Sequence, residues 1–251
     1  MEKSVQNGPF LWVALDSLVE DELGTFAVMD TLEKVEGDFG FKVGGDYLLK
    51  RSAKDARARL SSRPAFADIK MWSSADVMER SLHILHDAGF EATNAYALAG
   101  GYDREGGDEL KRAITAFREH HTGSRLRIYA LTVLTHYSNT YSKRQFSREL
   151  HWQVRAMVGE GIAAGAVGVI VPGTTLSSVD DLLLRGAHSS ILKIIPGIRR
   201  AGEVNDDRQK QVIRPEDIAG RTDVEAVVGE PIMGSSDSKS ALEQMLKALQ
   251  G

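Results

Sequence analysis

Phe66-Ala67-Asp68-Ile69-Lys70-Met71-Trp72-Ser73 reads as a short strand running into a turn. Successive side chains on a strand point to opposite faces. Asp68 and Lys70 therefore project together, while Ala67 and Ile69 project the other way. An acid and an amine at the end of a buried strand are costly to bury unpaired. They either pair to close a structure or stand there for chemistry.

On either side of this stretch, apolar runs and helical periodicities alternate. Strands are expected at residues 10–15, 39–43, 91–97, 127–134, 167–171, 192–195 and 224–228. Helices are expected at 20–34, 47–60, 74–88, 108–120, 150–164, 177–185 and 235–249, with a further short one opening at Pro215. In the helix at 74–88, Val77, Leu82, Ile84 and Leu85 supply the apolar positions. Residues 136–148 read as a polar loop and 196–214 as a long, charged, irregular segment. Helices between strands require crossover connections, and hence a parallel sheet. About eight such units in 251 residues predict an α/β fold, a single-domain (β/α)8 TIM barrel spanning 1–251. A doubly wound open sheet is the alternative. It would usually carry a glycine-rich phosphate loop after its first strand, where this chain has Leu15-Asp16-Ser17-Leu18.

Composition narrows the function classes. Hydrophobic residues make up 42% and charged residues 26%, as in ordinary globular proteins. A formal net charge of -4 leaves no basic footprint for nucleic acid or an anionic membrane. With no cysteine, thiolate nucleophiles, disulfides and Cys-ligated metal are excluded. Residues 1–8 have no apolar signal-peptide core and no run is long enough to span a bilayer, so a cytoplasmic location is expected.

In a barrel the functional face lies at the C-terminal ends of the strands. Those ends carry Asp16, Lys42, Asp68 with Lys70, Thr135 with His136, Arg199, and Gly229 with Glu230. Strands two and three are neighbours, so Lys42 is expected to flank Asp68 on the side opposite Lys70. A carboxylate between two ammonium groups stays ionised and keeps both protonated. A protonated lysine on a rigid strand can deliver a proton to a developing carbanion. A fixed carboxylate can repel a substrate carboxylate more than the transition state. Decarboxylation without a cofactor, or enolate chemistry, suits that trio; an ion-pair network closing the barrel top suits it too. The 196–214 segment suits an active-site lid over an anionic ligand. Ser73 and Asp76 read as an approximate capping box. Trp12, Trp72 and Tyr96 read as packing residues. His136 is a candidate ligand contact, and the remaining histidines lack metal-ligand spacing, so no metal site is expected.

Together, Val13-Ala14-Leu15-Asp16, Phe41-Lys42-Val43-Gly44, Asp68-Ile69-Lys70, Thr132-Val133-Leu134-Thr135, Pro196-Gly197-Ile198-Arg199, Gln209-Lys210 and Val227-Val228-Gly229 before Pro231-Ile232 resemble the orotidine 5'-monophosphate decarboxylase superfamily. The resemblance implies Lys42, Asp68 and Lys70 as three members of a charged tetrad, with Lys70 the proton donor. It implies that Asp16 binds the ribose, Thr135 the pyrimidine, and Gln209 and Gly229 the phosphate. It implies no cofactor, a pyrimidine nucleotide or analogue as substrate, and a homodimer with shared sites.

Two departures separate this chain from the pattern. The family's second aspartate, three residues after the Asp-x-Lys lysine, is Ser73 here, and its phosphate-binding arginine is Glu230. An anion beside a phosphate exchanges attraction for repulsion of roughly 4 kcal/mol per pair at about 4 Å and an effective dielectric near 20. Arg199, Arg200 or Arg208 could supply the missing cation from the 196–214 segment. The superfamily also holds 3-keto-gulonate-phosphate decarboxylase and hexulose-phosphate synthase, which use magnesium. Ala67-Asp68-Ile69-Lys70 suits them equally; the Pro-Gly-Ile-Arg segment and the chain length do not. The expected activity is a cofactor-independent decarboxylase making UMP from orotidine 5'-monophosphate. The alternatives are a divergent lyase with another substrate, or a barrel that binds without chemistry.

Overall fold

A computed structural model of the chain describes residues 8–99, 108–200 and 211–251. Eight parallel strands close into a barrel in sequential order, each hydrogen-bonded to the next and β8 to β1. They are β1 (Phe10–Ala14), β2 (Phe39–Gly44), β3 (Ala65–Met71), β4 (Ala92–Tyr96), β5 (Arg127–Leu131), β6 (Gly168–Ile170), β7 (Leu192–Pro196) and β8 (Val224–Val228). The helices around them are α1 (Glu22–Leu32), α2 (Gly45–Lys50), α3 (Ala53–Arg59), α4 (Ala75–Ala88), α5 (Glu109–His120), α6 (Asn139–Phe146), α7 (Leu150–Ala163), α8 (Leu176–Arg185), α9 (Glu230–Met233) and α10 (Ser238–Gln250). The closed barrel removes the open-sheet alternative. Among the described residues no helix is long and apolar enough to cross a membrane.

Two apolar layers result from the strand alternation. Leu11, Val13, Phe41, Ala67 and Val169 face outward into the large core shared with the helices. Trp12, Phe66, Tyr129, Leu131, Ile170 and Ile194 fill the barrel itself. Phe66 meets Trp12 and Tyr129 edge-on, with ring centroids 5.4 and 5.5 Å apart. Gly40, opposite Trp12 in the β1–β2 register, leaves the indole its room: a Cβ there would stand 2.7 Å from Trp12 Cζ3 and 2.4 Å from the Pro64 carbonyl oxygen. Below this layer lies a buried carboxylate, Glu225. It accepts from Trp12 Nε1 at 2.7 Å and from the Tyr129 hydroxyl at 2.9 Å, and it pairs with Arg127.

Several local expectations are corrected. The helix expected at 47–60 is two, because Arg51 is extended (φ -128°, ψ 149°) and Ser52 caps α3 by accepting from the Asp55 amide. The loop expected at 136–148 contains α6, whose only buried residue is Ser142, so it has no apolar stripe to betray it. The closing helix at 235–249 is preceded by a separate turn, α9. On α4 the buried face is Ala75, Met78, Leu82 and Leu85, and Val77 and Ile84 are exposed. No Ser73–Asp76 capping box forms. The N-cap is Ser74, its side chain makes no cap bond, and the Ala75 amide donates instead to Glu109 Oε2 of α5 at 2.6 Å. Trp12 is fully buried as expected, whereas Trp72 is 62% exposed and makes a ring contact with Tyr96 at 5.2 Å.

Candidate active site

The inward faces of β2, β3 and β4 end in Lys42, Asp68, Lys70 and Asn94. Their side chains form one connected cluster. Lys42 Nζ donates to Asp68 Oδ2 and to Asp16 Oδ1, each at 3.0 Å. Lys70 Nζ donates to Asp68 Oδ1 at 2.8 Å. Asn94 Nδ2 donates to the same oxygen at 2.7 Å. Asp68 therefore stands between two ammonium groups, Lys42 from the neighbouring strand and Lys70 from its own.

The electrostatics follow from these contacts. Burial alone would raise the Asp68 carboxyl, but Lys42 and Lys70, with hydrogen bonds from Lys70 and Asn94, hold it well below the usual carboxylate range. Burial alone would lower the Lys42 amine, but Asp68 and then Asp16 outweigh it and hold Lys42 above its ordinary value. Both groups are thus charged throughout the neutral range. Burial, and then the Asp68 charge, raise the nearby Tyr96 phenol, keeping it a neutral donor.

Lys70 is set by its backbone as well as by its partner. Its φ is +50°, in the left-handed region that non-glycine residues seldom occupy. The β3–β4 register shifts between Ala67 and Met71, and within that irregular span the Lys70 amide donates to Asn94 Oδ1 at 2.7 Å. Asn94 thus grips the lysine's backbone with one end of its amide and the aspartate with the other. The sequence reading missed Asn94. The signal lay in its inward parity with Ala92 and Tyr96 on a strand next to Asp68.

A cavity of about 930 Å³ opens over the cluster. Its floor is apolar, from Phe66, Leu131, Ile170 and Val227. Asp16, Lys42, Asp68, Lys70, Thr135, Arg199 and Gly229 all line it, together with His136. Gln209, Arg208 and Lys210 lie outside the described residues. Gly197 (φ +80°) turns the chain out of β7, and Ile198 then pairs with Ile213, so both ends of the 196–214 segment are held together beside the cavity. Asp16, Glu20 and Glu230 put three carboxylates into the lining that also holds Gly229, Met233 and Arg199, and of the three Asp16 is paired with Lys42. Ser73 and Asp76 do not line the cavity, and Asp76 is exposed in the first turn of α4.

Comparison with known proteins adds the lineage. The model of the orotidine 5'-phosphate decarboxylase / HUMPS family matches residues 9–245. The orotidine 5'-phosphate decarboxylase of Carboxydothermus hydrogenoformans is 27% identical over 248 residues, covering 96% of each chain. That of Rhodopseudomonas palustris is 29% identical over 223 residues, covering 86% of each. Among solved structures, the orotidine 5'-phosphate decarboxylase from Lactobacillus acidophilus superposes with a TM-score of 0.69 at 22% identity, over 97% of this chain and all of that one.

Proposed function

The chain belongs to the orotidine 5'-phosphate decarboxylase / HUMPS family, and from that premise we propose that it is a cofactor-independent decarboxylase acting on orotidine 5'-monophosphate or a close pyrimidine nucleotide analogue. The observation that carries the reading is the Lys42–Asp68–Lys70 chain at the mouth of the cavity. Asp68, ionised and fixed, faces the scissile carboxylate. As the carbon–carbon bond breaks, CO2 leaves and the electron pair stays on the ring carbon. Lys70 Nζ–H supplies the proton that quenches it, and the resulting amine regains a proton from water, which reaches it because its side chain is 41% exposed. Lys42 holds Asp68 and Asp16 in place. In this reading Asp16 meets the ribose, Thr135 the pyrimidine, Gly229 and Arg199 the phosphate, and the 196–214 segment is the lid. Adding the protein to orotidine 5'-monophosphate is expected to remove the substrate's absorbance band. No turnover above background at millimolar substrate would sink the proposal.

The three carboxylates in the lining favour a second reading, a lyase for a substrate without phosphate. The pair Ser73→Asp with Glu230→Arg separates the two. If these positions moved the specificity, the double variant raises kcat/KM on orotidine 5'-monophosphate at least about tenfold, because one repulsion becomes an attraction. Unchanged kcat/KM in the folded double variant rejects that account.

A homodimer is part of the same proposal. Trp72, next to the site, and Val77 and Ile84, one heptad apart on α4, leave apolar side chains on the surface. Light scattering is expected to give twice the 27.5 kDa chain mass, with Ile84→Asp shifting the protein towards monomer. A monomer at micromolar concentration rejects the shared site.

A further inference from the structure

Four of the seven histidines, His83, His86, His120 and His121, converge on the α4–α5 seam outside the cavity lining, and the proposed chemistry uses none of them. Glu79 and His83 lie one turn apart on α4, and His120 is the last residue of α5. His83 Nε2 is 3.4 Å from Glu79 Oε1, and His120 Nδ1 is 3.6 Å from the same oxygen. All three ligand atoms lie within 4.8 Å of one another. Among the described residues, Glu79 has no lysine or arginine partner; its ion-pair contacts are these two imidazoles.

We propose that Glu79, His83 and His120 form a binding site for a borderline divalent transition ion of the zinc class, clamping α4 to α5. The spacing carries the argument. Donors about 2.0–2.1 Å from a tetrahedral zinc ion stand about 3.3–3.4 Å apart, close to the two separations above. Two imidazoles and one carboxylate are a zinc donor set that leaves a fourth position for water. A metal-bound imidazole usually donates its other N–H to a fixed acceptor. His83 has that acceptor, with His121 Nε2 lying 2.7 Å from its Nδ1. His120 Nδ1 is now 2.8 Å from the Ala116 carbonyl oxygen, a bond that the ion replaces. His120 is exposed, so an ion can enter from solvent and the ring can adjust.

Sequence spacing alone does not reveal the site because its ligands come from two helices. Glu109 already ties the N-terminal ends of the two helices by accepting from the Ala75 amide. The ion ties them again towards the other end.

The test is calorimetric titration of the tag-free, chelator-treated full chain with zinc chloride alone. The expected result is one ion per chain. Saturating zinc raises Tm by about 5 °C. Glu79→Gln and His83→Ala each weaken binding at least about tenfold and, at the same zinc concentration, cut the Tm shift to less than about half. His120→Ala does the same, and its exposed ring can be removed without disturbing packing. His151→Ala, on α7, leaves both unchanged. The proposal is overturned by absence of saturable binding at millimolar zinc. It is equally overturned by binding that survives His120→Ala, or that is lost only in His86→Ala or His136→Ala.

Discussion

Alanine at position 70 lowers kcat on orotidine 5'-monophosphate about 100- to 10,000-fold, the range set by loss of a positioned general acid. The expectation rests on geometry. Both lysines are held by Asp68 and line the cavity, but the Lys70 side chain is 41% exposed against 8% for Lys42. Lys42 is buried and already spends donors on Asp68 and Asp16, so it cannot take over the transfer. Removing Lys70 leaves Asp68 with Lys42 and Asn94, so the carboxylate stays ionised and the fold stays intact. The loss therefore falls on kcat more than on KM, as for an interaction made only in the transition state. Steady-state kinetics with a circular-dichroism check on folding decides it. A variant keeping more than a tenth of the parent kcat assigns the proton to another donor.

The largest loss of stability is expected at the other end of the barrel. Glu225→Ala is predicted to cost about 3–5 kcal/mol, since removing one partner of a buried ion pair strands the rest. Arg127 loses its partner, and the Trp12 N–H and Tyr129 hydroxyl lose their acceptor inside a layer from which water is excluded. Arg127 can turn partly to solvent, but the two aromatic donors cannot. For a chain of this length the change corresponds to a Tm lower by roughly 6–20 °C. Urea unfolding with tryptophan fluorescence measures it. A cost under about 1 kcal/mol would show that water enters the barrel base and replaces the carboxylate.

The barrel and the acid–amine trio were legible in the sequence because both follow from period. Strand alternation fixes which residues face inward, and sequential parallel pairing fixes that Lys42 neighbours Asp68. What stayed hidden depended on contacts between elements. Asn94 is a polar residue on the fourth strand whose worth is visible only beside Asp68 and Lys70. Glu225 sat inside an apolar run, and nothing local announced its three partners on β1 and β5. On α4, Val77 and Ile84 are as apolar as the core positions, and only the packed phase of Ala75, Met78, Leu82 and Leu85 shows which face won. α6 was missed because a helix without an apolar stripe has no periodic signature.

The left-handed backbone at Lys70 has a consequence for how this chain can change. An L-residue in that conformation costs roughly 1–2 kcal/mol. Glycine would adopt it without strain but has no amine to offer. The residue that best suits the backbone at position 70 and the residue that best suits the chemistry are therefore different. Selection for robustness alone would drift away from lysine, and the persistence of lysine among functional descendants would itself report that the amine is in use. Asn94 loosens that conflict, because its carbonyl oxygen rewards the unusual turn with a hydrogen bond. The two positions form an evolutionary unit: a lineage that abandons the chemistry is free to lose both, and one that keeps it has reason to keep the pair.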